Sequence, residues 1–442
     1  MELTNNNVAI VMVPLPAQGH LNQLLHLTRL LSTNSFPVHF IGSSIHNRQA
    51  KSRLHGYNLS TLPNIQFHDF ELPKYITPPA DTSNKGPVHL LPAFEAYLNL
   101  RQPLGVLIRE LAERYRRVVV VHDSLMSFAA EEAASVENAE AYSFVSISVF
   151  AYGDMVDKEN SSIPGVACDT IIADELRDFI TRNSHGLKFC SGDIYNTCDA
   201  IEGRFLDLQK NKNVWAIGPF HPVEFDSNEG PRHYSLEWLD RQPPSSVIYV
   251  SFGTLASFSD NQIVELANGL EHSGQRFIWV LRDADRGDIY SGDVRKSQLP
   301  SGFEERIKGL GMVVRDWAPQ LQILAHSSTG GFMSHCGWNS TIESLSMGVP
   351  VATWPMGGDQ PRNAYLITEI LKVGLTVREW SPHEELIPAA DIEMSVKKLM
   401  LSDEGDKISK KAKELGVNIR HDVSESGSST AQLKSLLAHI SR

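Results

Sequence analysis

Two fragments of the chain put chemically able side chains directly after apolar runs. Pro16-Ala17-Gln18-Gly19-His20 follows Val8 to Val13, and His122-Asp123-Ser124 follows Val118 to Val121. If both runs are parallel strands of one sheet, His20 and Asp123 lie on loops just past their carboxyl ends. Residues about 100 apart in sequence can meet there. Imidazole, with a reference pKa of about 6.5, takes up a proton near neutral pH. A carboxylate on its second ring nitrogen fixes the tautomer and stabilises the imidazolium. The two residues suit a general base and its orienter. Strand alternation points the adjacent His122 to the opposite face of the sheet.

A second constellation suits an anion. Gly331-Phe332-Met333 reads as a strand end, Ser334-His335-Cys336-Gly337-Trp338 as a loop, and Asn339-Ser340 as the opening of a helix. Free backbone N–H groups at a helix start attract phosphate, and His335, Asn339 and Ser340 add side-chain donors, so the fragment reads as a diphosphate cradle. A plainer reading also fits: Ser340-Thr341-Ile342-Glu343 has the pattern of a capping box, and Trp317 could be an ordinary core aromatic. Val250-Ser251-Phe252-Gly253-Thr254, a strand end followed by a glycine and a hydroxyl, fits a simple βα turn equally well.

The elements that must position these residues alternate short apolar runs with helical patterns, the signature of parallel βαβ construction. Strands are expected at Val8 to Val13, Val38 to Ile41, Val118 to Val121, Val247 to Phe252, Arg276 to Leu281, Met312 to Arg315, Gly331 to Met333 and Val351 to Trp354. Leu21, Leu24, Leu25, Thr28 and Leu31 follow helical spacing. The polar stretch Pro222 to Pro231 reads as a linker. Residues 73 to 92 and 154 to 170, with weak periodicity, read as long loops. A chain of 442 residues is too long for one ordinary domain. We therefore expect an α/β protein of two doubly wound parallel-sheet domains facing across a cleft: residues 1–221, a linker over 222–234, residues 235–424, and a terminal helix over 425–442 returning toward the first domain.

Composition narrows the class. The hydrophobic and charged fractions, 42% and 21%, are those of a globular protein with a core. A formal net charge of -12 gives nothing to offset repulsion from a phosphate backbone, which argues against a nucleic-acid partner. Cys168, Cys190, Cys198 and Cys336 show no zinc-ligand spacing. The N-terminus has no basic region, and the first apolar run stops at Pro14 and Pro16, so neither a secretory signal nor a membrane span is expected. The expected location is cytoplasmic.

The whole segment from Trp317 to Gln360, WAPQLQILAHSSTGGFMSHCGWNSTIESLSMGVPVATWPMGGDQ, resembles the signature box of the plant UDP-dependent glycosyltransferases, the inverting family-1 enzymes of GT-B fold. That resemblance implies that Trp317 stacks on uracil, with Ala318 beside it, and that Gln320 helps hold the base. His335, Asn339 and Ser340 would bind the diphosphate, with Gly253 and Thr254 over it. Glu343 would accept hydrogen bonds from ribose, and Asp359 with Gln360 would grip the sugar. Trp338 also falls on a box position. Glutamine at the last position accompanies glucose use in related enzymes, so Gln360 implies UDP-glucose as donor. Ser44 to Ala50, Phe67 to Phe70, Ser191 to Thr197 and Arg282 to Ile289 are similar to the zeatin O-glucosyltransferase branch.

By the same resemblance His20 is the base and Asp123 its partner in one in-line displacement that turns an α-linked nucleotide sugar into a β-glycoside. The acceptor would be a small lipophilic alcohol or phenol such as zeatin, a flavonoid or a terpenoid, held by loops near residues 16 to 20, 76 to 96, 123 to 128 and 146 to 200. No cofactor or metal is expected, because helix N–H groups can stabilise the departing UDP. Asp283-Ala284-Asp285 does match the DxD triplet of metal-dependent glycosyltransferases, but such triplets arise by chance among 52 acidic residues. A monomer is the family expectation. Rival readings are a silent UDP-sugar-binding protein, a transferase using galactose or xylose, and a nucleotide-sugar epimerase or dehydrogenase. The last lacks its G-x-G-x-x-G turn after the first strand.

Overall fold

A computed structural model describes residues 7–52, 64–78, 86–156, 172–209, 213–224, 232–254, 258–282, 298–381 and 385–442. Asp283, Asp285 and most of 154–170 lie outside the described residues.

The first half builds a seven-stranded sheet from β1 (Val8–Val13), β2 (Val38–Gly42), β3 (Ile65–Asp69), β4 (Arg117–Asp123), β5 (Ala139–Val145), β6 (Cys190–Tyr195) and β7 (Val214–Ala216), in the order β3-β2-β1-β4-β5-β6-β7. The second half builds a six-stranded sheet from β8 (Val247–Ser251), β9 (Arg276–Val280), β10 (Gly311–Val314), β11 (Thr329–Ser334), β12 (Val351–Thr353) and β13 (Gly374–Thr376), in the order β10-β9-β8-β11-β12-β13. Every pairing is parallel. The central strands carry long apolar runs, such as Val8–Val13 in β1, because helices cover both faces of each sheet. On β1, Ala9, Val11 and Val13 pack into one core while Ile10 and Met12 pack into another with Leu21, Leu24 and Leu25 of helix Gln18–Thr33.

Strand order reverses between β1 and β4 in one sheet and between β8 and β11 in the other. Connections run away in opposite directions at these switch points, which leaves a crevice beyond the carboxyl ends of the strands. His20 and Asp123 stand at the first crevice, and Gly253 and His335 at the second.

Several boundaries differ from the sequence reading. His20 belongs to the first turn of helix Gln18–Thr33 rather than to a loop, and Asp123 is the last residue of β4. The helix after β11 opens at Trp338, with Gly337 at its cap, so Ser340 and Glu343 do not form a capping box. A helix over Leu91–Tyr97 begins within the end of the expected loop. β3, β5, β6, β7 and β13 were not expected. β3 is a polar edge strand, β5 alternates, β6 opens on Cys-Ser-Gly-Asp, and β7 and β13 span three residues each.

The chain ends in helices Asp403–Asp422 and Ser428–Ser441. Leu436 and Ile440 of the last helix enter a core of the first sheet. Trp215 on β7 donates its indole N–H to Ser435 at 3.4 Å, and Ser429 donates its hydroxyl to the Gly218 carbonyl at 2.7 Å.

Candidate active site

A cleft of about 230 Å³ runs between the two sheets. His20 lines it from the first half. Gly253, Thr254, Trp317, Ala318, Gln320, His335, Trp338, Asn339, Ser340, Glu343, Asp359 and Gln360 line it from the second.

His20 Nδ1 stands 2.6 Å from Asp123 Oδ2 and 2.9 Å from the Ser146 hydroxyl. The first contact is that of a protonated Nδ1 donating to a carboxylate, which leaves Nε2 with a lone pair. Asp123 is wholly buried, and its Oδ1 accepts the Leu125 N–H at 3.0 Å. The His20 side chain is 23% exposed. Burial favours its neutral form, but the charge and hydrogen bond of Asp123, with the charge of Asp359, outweigh this and raise its pKa above the usual value. His122 is turned away, with Nδ1 on the Asp123 carbonyl and Nε2 3.2 Å from Cys190 Sγ.

Opposite His20, the imidazole of His335 is packed between Gly253 and Gly337. A Cβ on either glycine would approach its ring to 2.7 Å or less, and Gly253 has φ of +75°. Burial lowers the His335 pKa to about 4, so the ring is neutral at pH 7. Its Nδ1 is buried with no hydrogen-bond partner among the described residues. Asn339 donates to the Gly19 carbonyl at 2.8 Å. Trp338 is only 3% exposed and donates its indole N–H to the Asn196 carbonyl at 2.9 Å, so it fastens the two halves together along the cleft edge.

Trp317 is half-buried, not a core residue, and the Arg282 guanidinium lies 5.0 Å from its ring centre. Gln320 donates to Ser340 Oγ at 2.9 Å and to Glu343 Oε2 at 2.8 Å, while its carbonyl oxygen accepts from the Tyr249 hydroxyl at 3.3 Å. Burial pushes the Glu343 carboxyl up to about 7, against the opposing hydrogen bond from Gln320. Asp359 accepts from Asn363 Nδ2 at 2.7 Å. Gln360 opens helix Gln360–Tyr365, and its Oε1 accepts the Met356 N–H at 2.8 Å, which fixes the orientation of the amide.

Ser146, Asn363 and Arg282 escaped the sequence reading as individual site residues. Arg282 did fall inside a noted fragment, whereas Ser146 follows a strand that periodicity missed. Among the described residues, no three His, Cys, Asp or Glu side chains gather as metal ligands, and no helix is long and apolar enough to cross a membrane.

The glycosyltransferase N-terminal domain family matches residues 6–222, and the UDP-glucoronosyl and UDP-glucosyl transferase family matches residues 231–407. The chain is 48% identical to a zeatin O-glucosyltransferase of Phaseolus lunatus, over 98% of this chain and 97% of that one. It is 47% identical to a zeatin O-xylosyltransferase of Phaseolus vulgaris, over 98% of each. Among solved structures, Phytolacca americana UGT2 complexed with UDP-2fluoro-glucose and pterostilbene superposes with a TM-score of 0.78 at 26% identity, covering 98% of this chain and all of that one. The chain belongs to the family-1 UDP-glycosyltransferases of plants, and its two sheets form the GT-B fold. It resembles the zeatin branch of that family.

Proposed function

We propose that the protein is an inverting, metal-independent O-glucosyltransferase that moves glucose from UDP-glucose to a hydroxyl of a small lipophilic acceptor, with zeatin the first acceptor to test. The observation that carries this reading is the position of His20. Its Nδ1 is held by Asp123 on the wall of the same cleft that the donor box lines from the other side. A silent UDP-sugar-binding protein would have no use for that pair.

In this mechanism Nε2 of His20 takes the proton of the acceptor hydroxyl while the oxygen attacks the anomeric carbon. Asp123 stabilises the imidazolium that forms. The diphosphate leaves from the opposite face of the sugar, so an α-linked donor gives a β-glucoside. The N-terminus of helix Trp338–Met347, with the side chains of His335 and Ser340, stabilises the charge on departing UDP. Trp317 stacks on uracil, Ala318 and Gln320 support the base, and Glu343 accepts from ribose. Gly253 and Thr254 cover the diphosphate, and Asp359 and Gln360 face the sugar. We place the enzyme in the cytoplasm as a monomer, with domain limits near residues 221 and 235 and the final helix returning to the first domain.

A second reading, xylose as the donor sugar, follows from the likeness to the Phaseolus vulgaris xylosyltransferase. The deciding experiment incubates the purified protein with UDP-glucose or UDP-xylose and trans-zeatin, cis-zeatin, a flavonol or a terpenoid alcohol, with products identified by mass. A hexosyl adduct on zeatin supports the proposal. Preference for UDP-xylose overturns the donor assignment, and turnover confined to the flavonol overturns zeatin.

A further inference from the structure

Asn363 sits wholly buried on helix Gln360–Tyr365, one turn after Asp359. Both of its amide N–H donors and its carbonyl oxygen are engaged. Oδ1 accepts from the Ser148 hydroxyl at 2.8 Å, and Nδ2 donates to the Cys336 carbonyl at 2.9 Å and to Asp359 Oδ2 at 2.7 Å. These partners come from three different places. Ser148 lies on the segment after β5, two residues from Ser146, whose hydroxyl meets His20. Cys336 lies in the loop before the diphosphate helix and has the left-handed backbone angle φ of +64°. Such an angle is strained for a residue with a side chain and persists where the surroundings hold it.

We propose that Asn363 is a positioning residue for the donor sugar: its amide aims the Asp359 carboxylate into the cleft and ties it both to the diphosphate loop and to the segment that supports the base. The inference rests on the reading that Asp359 grips the sugar. A carboxylate beside an amide N–H stays an acceptor with a fixed direction, whereas an unanchored buried carboxylate protonates or turns away. Burial does raise the Asp359 pKa, and the Asn363 hydrogen bond opposes that rise, as do the charges of His20 and Arg362. Ser148 also accepts the Ala151 N–H at 3.0 Å, so its hydroxyl is held at both ends and offers Asn363 a rigid anchor.

The test separates the sugar's share of binding from that of the nucleotide. Affinities for UDP and UDP-glucose are measured by calorimetry at pH 8 for wild type, Asn363→Asp, Ser148→Ala, Asp359→Asn and the double variant Asp359→Asn with Asn363→Asp. Asn363→Asp keeps the side chain's size but replaces the donor with a second carboxylate facing Asp359. The Cys336 carbonyl loses its donor too, yet the larger effect should fall on the sugar: UDP-glucose should weaken about tenfold, the size expected when a polar group loses its partner, and UDP less than about twofold. Ser148→Ala removes the anchor and with it the acceptor of the Ala151 N–H, which lies away from the donor side, and a loss of about threefold for UDP-glucose alone is expected. The double variant reverses the hydrogen bond between the two positions. Its UDP-glucose affinity should fall no further than that of Asp359→Asn alone, because both changes remove one interaction.

A general structural role for Asn363 would weaken UDP and UDP-glucose alike, and its loss would add to that of Asp359→Asn; either result overturns the proposal. If Asn363→Asp fails to fold, an unchanged ratio of the two affinities in Ser148→Ala overturns it. An unchanged ratio in Asp359→Asn removes the sugar role of Asp359 itself. That outcome is distinguishable from the failure of Asn363 alone, in which Asp359→Asn loses the sugar and Ser148→Ala and Asn363→Asp do not.

Discussion

Asn339 donates its side-chain amide to the backbone carbonyl of Gly19 at 2.8 Å. The start of helix Trp338–Met347 is thereby fastened to the residue immediately before His20, although 320 positions separate the partners. This contact is one of several between the halves, with Trp338 on the Asn196 carbonyl and Ser148 on Asn363.

Loss of the base should be felt in turnover and not in nucleotide binding. His20→Ala is expected to lower kcat by roughly 10² or more, with UDP affinity within about twofold of wild type. Asp123→Asn should fall in the same direction by losing the charge that stabilises the imidazolium. Near wild-type turnover of His20→Ala on a non-phenolic alcohol would remove His20 from the mechanism.

The raised His20 pKa sets the direction of the pH profile. Only neutral imidazole accepts a proton, so activity should rise with pH and reach half its plateau above the ordinary histidine value. In Asp123→Asn the charge that raises the pKa is gone while burial still lowers it, so the midpoint should move to lower pH at reduced kcat. Profiles of kcat/KM for the acceptor, taken at saturating UDP-glucose, read both shifts. An unmoved midpoint in Asp123→Asn would mean that another group titrates.

On the proposed contact between Glu343 and ribose, donor binding has a pH dependence of its own. With its carboxyl at about 7, the ionised acceptor that ribose hydroxyls prefer is fully present above that pH and lost below it. UDP-glucose should bind about tenfold more weakly at pH 6 than at pH 8, with proton release on binding. Glu343→Gln should flatten the dependence and weaken binding at pH 8. Calorimetry in two buffers of different ionisation enthalpy measures both, and an equally steep dependence in the variant would reassign the titration.

Metal removal separates two ways of neutralising a leaving diphosphate. If helix N–H groups and the neutral donors His335 and Ser340 suffice, exhaustive EDTA treatment should leave most activity. Loss of turnover that Mn²⁺ or Mg²⁺ restores would point instead to Asp283 and Asp285.

Sugar choice turns on the end of the box. A site fitted to one arrangement of hydroxyls leaves polar groups unpaired with another, at about 1–3 kcal/mol for each. Gln360→Ala should therefore lower kcat/KM for UDP-glucose more than it lowers UDP affinity. Because the Gln360 carbonyl oxygen is bonded to Met356 N–H, equal losses for UDP and UDP-glucose would show that the side chain supports the loop and does not read the sugar.

The central strands could be read from sequence because burial on both faces demands unbroken apolar runs, and Val8 to Val13 and Val118 to Val121 supply them. The box could be read because its order of residue types is so specific. Polar edge strands such as β3 could not, since a half-exposed strand needs little apolar content. Nor could Ser146, Ser148 or Asn363. Their residue types carry no signal of their own: Ser146 meets His20 through the folding of the first half, and Ser148 meets Asn363 only where the two halves come together. His20 was read correctly in its neighbourhood but in the wrong element, because Gln18-Gly19 is a poor helix start that packing overrides.

The last helix gives the molecule a mechanical character. The chain returns from the second half, where Arg420 of helix Asp403–Asp422 donates to the Ser346 carbonyl, to the first, where helix Ser428–Ser441 packs Leu436 and Ile440 into a core of the first sheet. Near that return, Asp422 accepts the Ala200 N–H at 2.8 Å. Two bodies joined by one tether can swivel about any axis, but two bodies joined at separate points turn most freely about the line between them. The halves of this enzyme are also packed along the cleft, through Trp338 on Asn196, Asn339 on Gly19 and Ser148 on Asn363, so the second junction works as a strap that holds them in that register.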